Sequence, residues 1–254
     1  MTAPAKAAAR RHTISDAEWA LRVDLAACYR LIARYGWTDL IYTHVSARVP
    51  GETELFLLNP YGLLFDEITA TSLIVMDMDG NVVHGDYGCN DAGFSIHSAV
   101  LAARPDIACA AHTHSRAGVG VSCMKAGLMP LNQQSMIFHE RLGYHDWDPQ
   151  TGNVDECALL ARDLGSNPAV ILRNHGLLTV GRTVAEAFWY LYNLEVACQF
   201  QLDAMQAGTE LIHPSAESVA RTAAEFHKTN ASKGDLEWRA LLRALDRTDP
   251  SFRQ

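Results

Sequence analysis

The residues in this sequence most able to do chemistry are two histidines set two positions apart, His112 and His114. They close a predicted strand, and side chains two apart along a strand lie on one face, with their bases roughly 6.5 to 7 Å apart. A third histidine, His175, lies in a predicted turn, where Asn174 and Gly176 allow the chain to present the ring. Three neutral imidazoles with an open position suit a catalytic divalent metal, which polarises a carbonyl, holds a deprotonated hydroxyl or activates water. The pattern His-x-His is weak by itself, so structural or surface histidines are the alternative interpretation.

The elements that must position these histidines include several short strands. Runs of β-branched and aliphatic residues between turn signals predict them, and Asp79-Gly80 is a strong two-residue hairpin signal. The predicted strands cover residues 40–49, 54–58, 73–78, 81–83, 107–113, 169–173 and 177–180.

Capping boxes predict where two long helices begin. Ser15 with Glu18 opens a helix that stops at Gly36, and Thr183 with Glu186 opens a helix that runs to about residue 206. Shorter helices are predicted over 93–103, 116–125 and 235–245, the last of them capped by Asp235.

The pattern of elements predicts an α/β fold with a central, mostly antiparallel sheet flanked by helices. The sequence contains neither an internal repeat nor a low-complexity linker, which favours a single domain. Residues 1–14 are expected to be a flexible N-terminal arm, residues 15–210 the domain, and residues 211–254 a C-terminal helical extension.

Composition excludes several classes of protein. The chain has 254 residues and a net charge of −8, which disfavours a nucleic-acid partner because such proteins neutralise phosphates with an excess of Lys and Arg. No run of 18 or more apolar residues and no signal-peptide core occurs, so we expect no membrane partner and a cytoplasmic location. The six cysteines form no CxxC pair, which favours buried free thiols. The 11 histidines are the unusual feature of the composition.

The histidine motifs resemble the class II aldolase/adducin family. They are His112-Thr113-His114 and, with its histidine 61 positions after the second of these, Arg173-Asn174-His175-Gly176. The resemblance covers roughly residues 15 to 210, and its supporting stretches are Thr43-His44-Val45-Ser46-Ala47-Arg48, Asn59-Pro60-Tyr61-Gly62 and the segments 97–114 and 171–188.

This resemblance implies a fold, an assembly and a cofactor. The fold would be an α/β/α sandwich, in a homo-oligomer, most often a homotetramer with active sites near subunit interfaces. A divalent metal would bind His112, His114 and His175. The expected metal is Zn²⁺, with Mn²⁺, Co²⁺ or Fe²⁺ as the alternatives, and the expected partner is a small-molecule substrate.

The sequence also departs from the sugar-phosphate aldolases of that family. Their acidic residue, 19 positions before the first metal histidine, is Gly93 here, and glycine cannot move a proton. The two hydroxyl residues that precede it and bind phosphate in those enzymes are Asp91 and Ala92, and an aspartate repels phosphate. The Gly-Asn of the phosphate loop is Thr43-His44. Sugar phosphates are therefore poor candidates, and the local sequence is similar to the adducin head, which also lacks the acidic residue.

Further site residues follow from these positions. His44 is the first candidate for a catalytic proton-transfer residue because its imidazole can donate to an anionic or carbonyl oxygen, and Asp91 is the second. The expected substrate-binding residues are Thr43, Asn59, Tyr61, Gly62 and Gln134.

The other histidines have less specific interpretations. His97 is expected to be a hydrogen-bonded packing residue, and His139 with Glu140 to lie on a solvated face. We expect surface or loop positions for His12, His84, His145, His213 and His227.

Three functions are compatible with this sequence. The first is a metal-dependent lyase that cleaves a small, non-phosphorylated hydroxy, oxo or aromatic carboxylate by retro-aldol cleavage or decarboxylation. The second is a non-haem Fe(II) oxygenase that uses the same three histidines. The third is a non-catalytic, adducin-like assembly module.

Overall fold

An eight-stranded sheet forms the centre of the protein in a computed structural model that describes residues 12–148, 154–228 and 232–254. The strands are β1 (His44–Arg48), β2 (Leu55–Leu58), β3 (Ile74–Asp77), β4 (Val82–His84), β5 (Cys109–Thr113), β6 (Leu142–His145), β7 (Ala169–Leu172) and β8 (Gly176–Gly181). Their order across the sheet is β4-β3-β2-β1-β5-β8-β7-β6. Every neighbouring pair is antiparallel except β6 and β7. The predicted α/β class with a mostly antiparallel sheet is confirmed.

Helices cover both faces of this sheet. The described helices are α1 (Asp16–Arg34), α2 (Asp91–Ala103), α3 (Arg116–Ser122), α4 (Gln133–Met136), α5 (Val154–Leu164), α6 (Val184–Gln206), α7 (Ala216–Phe226) and α8 (Asp235–Thr248), with a 3₁₀ turn over Pro250–Arg253. Each is too short or too polar to cross a membrane.

Strand β7 shows which helices cover each face of the sheet, because its successive side chains point to opposite faces. Ala169 and Ile171 join the larger hydrophobic cluster, which includes residues of α1 and α6. Val170 and Leu172 join a second cluster, which includes residues of α2 and α5. The protein is therefore an α/β/α sandwich, as the family resemblance implies.

The predicted strand over residues 40–49 is shorter than expected. Asp39 and Tyr42 form an isolated bridge, while Leu40 (φ 48°) and Thr43 (φ 69°) adopt left-handed backbone conformations that a strand excludes. Strand β1 therefore begins only at His44. The turn before it lies beside the candidate site.

Two other expectations need comment. The last helix begins as predicted, but its N-cap is Gly234 (φ 85°), and Asp235 lies in the first turn without capping it. A positive φ at the N-cap suits glycine better than aspartate, which explains the shift. Most of the predicted N-terminal arm, residues 1–11, lies outside the described residues.

Candidate metal centre

Three histidine rings converge at one end of the β5–β8 strand pair. His112 lies on β5, His114 follows that strand, and His175 lies in the turn before β8. Their candidate ligand nitrogens all lie within 4.8 Å of one another. The structure thus brings together the three residues that the sequence singled out.

The local backbone explains how His175 reaches the other two rings. Asn174 adopts a left-handed conformation (φ 58°), and the His175 N–H donates to the Leu172 carbonyl, which closes the turn. A Cβ at Gly176 would lie only 2.3 Å from the Thr113 carbonyl oxygen. Glycine is therefore needed for β8 to approach the end of β5 this closely.

Hydrogen bonds behind two of the rings fix their tautomers. His112 Nδ1 donates to the Leu177 carbonyl at 2.9 Å, and His114 Nδ1 donates to the Asp39 carboxylate at 2.9 Å. Both Nε2 atoms of the neutral rings then carry lone pairs. An acceptor that takes the Nδ1 proton of a metal-bound histidine orients the ring and raises the basicity of its ligand nitrogen.

The geometry fits a shared cation. The Nε2 atoms of His112 and His114 are 3.0 Å apart, a distance at which two facing lone pairs repel unless a cation or proton lies between them. Two nitrogens bound to one tetrahedral Zn²⁺, each at about 2.0 to 2.1 Å, would lie about 3.3 Å apart. The donor set of three imidazoles suits zinc and the neighbouring transition metals.

Electrostatics also keep these rings in the form that binds metal. Burial, followed by the neighbouring histidines, holds the pKa of His112 well below its ordinary value. Burial and the charges of His114 and His145 lower the pKa of His175 to about 4. Near neutral pH both rings are uncharged, so no proton competes for the ligand nitrogens.

A buried chain of three polar side chains lies beside the triad. His44 Nδ1 is 2.7 Å from His97 Nε2, and His97 Nδ1 is hydrogen-bonded to Ser46 Oγ. The ring centroid of His44 lies 5.1 Å from that of His112. Burial lowers the pKa of both His44 and His97, that of His97 to about 3. The hydrogen-bonded packing role predicted for His97 agrees with these contacts.

The absence of a side chain at Gly93 leaves room for the His44 ring. A Cβ at Gly93 would lie 2.6 Å from His44 Cδ2 and 3.1 Å from its Nε2. No real Cβ tolerates such a contact, so a larger residue at position 93 excludes the observed position of this ring. The histidine at position 44 and the missing acidic side chain at position 93 are therefore linked structurally.

The remaining predicted substrate-binding residues differ in placement. Thr43 lies next to His44, and its Oγ1 is buried without a hydrogen-bond partner among the described residues. Asn59 is buried, and its Oδ1 accepts from the Tyr29 hydroxyl at 2.9 Å, which gives it a structural role. Tyr61 is exposed, beside Gly62 in a left-handed conformation.

Two predicted residues form no hydrogen bond or ion pair with the triad histidines in the described part of the chain. Asp91 is the exposed first residue of α2, two positions before Gly93. Gln134 is half-buried on the short helix α4. Their roles in the site stay predictions.

Two residues in contact with the triad, Asp39 and Trp147, were not found from the sequence. A single aspartate in a tight turn has no motif. The Trp147 ring meets that of His175 edge-on at 5.3 Å and is about half exposed.

The expectation for His145 was wrong. This residue is buried, and its nitrogens approach Glu156 Oε1 at 2.6 Å and Asp163 Oδ2 at 2.9 Å. Its strand, β6, and its helix partner, α5, were both absent from the predicted elements. The two carboxylates therefore hold the His145 ring in place from α5, a structural role that becomes visible only once β6 and α5 are placed together.

Comparison with known proteins assigns the family. The family model described as the Class II Aldolase and Adducin N-terminal domain matches residues 23–202. A crystal structure of an aldolase II superfamily protein from Pseudomonas syringae is 45% identical, with a TM-score of 0.92, and the match covers 95% of this chain and 98% of that one. L-fuculose 1-phosphate aldolase from Glaciozyma antarctica is 28% identical, with a TM-score of 0.81, and the match covers 98% and 97% of the two chains.

An adducin is among the similar proteins as well. Alpha-adducin of Rattus norvegicus is 46% identical over 186 residues, which are 72% of this chain and 25% of that protein. The three-histidine cluster, the sandwich fold and these matches agree with one another. The chain belongs to the class II aldolase and adducin family.

Proposed function

We propose that this protein is a divalent-metal-dependent carbon–carbon lyase. The observation that carries the proposal is the cluster of His112, His114 and His175, whose candidate ligand nitrogens lie within 4.8 Å of one another and in which burial keeps the His112 and His175 rings neutral. A bound divalent metal, with Zn²⁺ as the first candidate, supplies electron withdrawal from a substrate oxygen, which favours cleavage of the neighbouring bond.

His44 is the proposed proton-transfer residue. Its Nδ1 is engaged by His97, which leaves Nε2 as the nitrogen able to exchange a proton with a substrate. Its ring occupies the space beside Gly93, where sugar-phosphate aldolases carry their acidic residue. We therefore infer that His44 replaces that acid, with His97 and Ser46 as positioning residues.

The proposed substrate is a small, non-phosphorylated hydroxy, oxo or aromatic carboxylate. The acidic Asp91 near the expected phosphate subsite disfavours a phosphate ester. The unpartnered Thr43 hydroxyl supports an oxygen-bearing ligand, because a buried hydroxyl without a partner is costly and a substrate oxygen would satisfy it. The left-handed backbone of this β-branched residue is also typical of functional sites.

We propose the cytoplasm as the location and a homotetramer as the assembly. All six cysteines are free thiols, which suits a reducing compartment. The tetramer is carried over from the family resemblance.

An adducin-like assembly module is the second candidate, favoured by the 46% identity to rat alpha-adducin. Against it stands the intact cluster, since an assembly surface gains little from three imidazoles with convergent lone pairs.

Metal analysis tests these functions. Protein purified without added metal is expected to carry zinc, manganese or cobalt near one ion per chain. Iron together with oxygen uptake on adding aromatic acids would instead favour the oxygenase. Protein that stays metal-free after incubation with each ion, and whose melting temperature ignores chelator, would contradict both enzyme functions.

A substrate panel then tests the lyase reaction. Metal-loaded protein is incubated with small hydroxy, oxo and aromatic carboxylates, and carbonyl products and CO₂ are measured. The His44→Gln variant is expected to keep its metal and lose most turnover. Equal turnover in wild type and variant would remove His44 from proton transfer.

A further inference from the structure

A second polar concavity lies at the other end of the β5–β8 strand pair. At this end Cys109 pairs with Gly181, whereas Thr113 pairs with Leu177 at the triad end, about 14 Å along the strands. The concavity has a volume of about 300 Å³. We call it the basic pocket, after its cationic lining residues Arg104, Arg141, Arg182 and Lys233.

The two carboxylates of the basic pocket are already neutralised. Asp106 accepts two hydrogen bonds from Arg104, both at 2.7 Å. Glu186 accepts from the Arg182 side chain at 2.9 and 3.0 Å. Two positive charges, those of Arg141 and Lys233, therefore remain in excess, in a chain whose net charge is −8.

Arg141 is the more available of these two cations. Its side chain is exposed, and among residues 12–148, 154–228 and 232–254 no acceptor takes a hydrogen bond from its guanidinium. Lys233 Nζ donates one proton to the Phe226 carbonyl, and an ammonium has two more to donate.

The charges of Arg141 and Lys233 act on the same histidine of the pocket. Besides burial, the charges of Arg141 and Lys233 both lower the pKa of His227, whose Nε2 donates to the Ile137 carbonyl. Arg141 also lowers the pKa of Tyr190, although burial raises it by more. His227 is thus one neighbour on which both cations act.

We propose that the basic pocket is a binding site for a phosphate dianion, either free or as the phosphate group of a small metabolite. Two unneutralised cations match two negative charges. The planar fork of an arginine pairs with the oxygens of a tetrahedral oxyanion, while a lysine contributes a compact charge. The volume suits a small ligand and is at the lower limit of small-molecule sites. This site is separate from the triad and does not depend on its chemistry.

Titration of the full-length, chelator-treated protein tests this proposal. Inorganic phosphate and glycerol phosphate are added at constant ionic strength, with binding followed by calorimetry and by ³¹P line width. Saturable binding by both ligands indicates a site for the phosphate group, and binding by the ester alone identifies the metabolite as the source. Absence of saturable binding of either ligand below about 10 mM overturns the proposal.

Matched variants locate the binding. Arg141→Gln and Lys233→Gln are each expected to weaken phosphate binding about 10-fold, the typical effect of losing one charge-assisted hydrogen bond. Arg239→Gln, which removes an exposed charge outside the pocket, and His114→Ala, which alters the triad, should bind as the wild type does. Wild-type affinity in both pocket variants would place the phosphate elsewhere and refute the assignment.

Discussion

The two ends of the β5–β8 pair carry opposite kinds of polar chemistry on the same two strands. At the triad end, burial keeps His112 and His175 neutral, and their lone pairs suit a cation. At the other end, Arg141 and Lys233 are excess positive charges that suit an anion. The difference arises from the residues at the two strand ends, since the triad end carries His112 within β5 and the other end carries Arg182 directly after β8, while both strands are buried along their length. The two ends lie about 14 Å apart along the strands, and we expect the two proposed sites to act independently.

The largest expected effect comes from removing one triad ligand. His114→Ala should lose most bound metal, from near one ion per chain to about one tenth, because two imidazoles hold a transition metal much more weakly than three. Metal analysis and circular dichroism measure the loss and the retained fold. Phosphate binding at the basic pocket should not change if the two ends are independent.

His213→Ala is the matched control for that variant because it removes an exposed histidine. Full metal content in His114→Ala would remove this residue from the site. A parallel loss of phosphate binding would show that the two ends are coupled.

Much of the fold could be predicted because its signals are local. The Ser15 hydroxyl accepts from the Glu18 N–H, and the Thr183 hydroxyl accepts from the Glu186 N–H, as expected of the two predicted N-caps. The carboxylates of Glu18 and Glu186 pair with Arg22 and Arg182 rather than with the N-cap N–H, so among the described residues only half of each predicted capping box is formed. The hairpin at Asp79-Gly80 joins β3 and β4. Capping and turn chemistry act within four residues, so a sequence window contains both partners.

The parts that could not be predicted depend on distant partners. Asp39 contacts His114, 75 positions later, and the sequence around neither residue indicates this contact. The contacts of His145 with Glu156 and Asp163 span 11 and 18 positions, and they can be predicted only once α5 has been placed against β6. The triad was found only because two of its members lie two positions apart at the end of a predicted strand and the third lies within a family motif.

The next effect concerns the space shared by Gly93 and His44. Gly93→Ala is expected to destabilise the protein by about 1 to 3 kcal/mol, the usual cost of forcing atoms into a packed interior. The added Cβ would lie 2.6 Å from the His44 ring, which must move. Urea unfolding measures the change in free energy.

Gly88→Ala provides the control, since nothing lies within 4 Å of a Cβ at that position. In the background of His44→Ala, Gly93→Ala should cost much less because the opposing ring is absent. Equal costs in both backgrounds would show that these two positions do not compete for space.

A smaller effect is expected from Asp39, whose carboxylate accepts a hydrogen bond from the His114 ring. Asp39→Asn keeps the shape of the side chain but removes its charge, so His114 loses a strong acceptor for its Nδ1 proton. Metal affinity should fall about 10- to 100-fold, the range typical of such outer partners. Competition with a chelator of known affinity measures it, and unchanged affinity would reduce Asp39 to a surface contact.

The last effect concerns the response of the triad end to acid. The pKa of His97 is about 3 in the folded chain and near 6.5 in the unfolded chain, so the unfolded state binds more protons between these values. Stability from this residue is therefore complete above about pH 6.5 and decreases as pH falls toward 3. In chelator-treated protein, His97→Gln should flatten the fall in unfolding free energy over this window, while His213→Gln should not. Parallel curves for His97→Gln and the wild type would mean that the acid sensitivity comes from other groups, whereas a flattened curve assigns part of it to the hydrogen-bonded chain that positions His44.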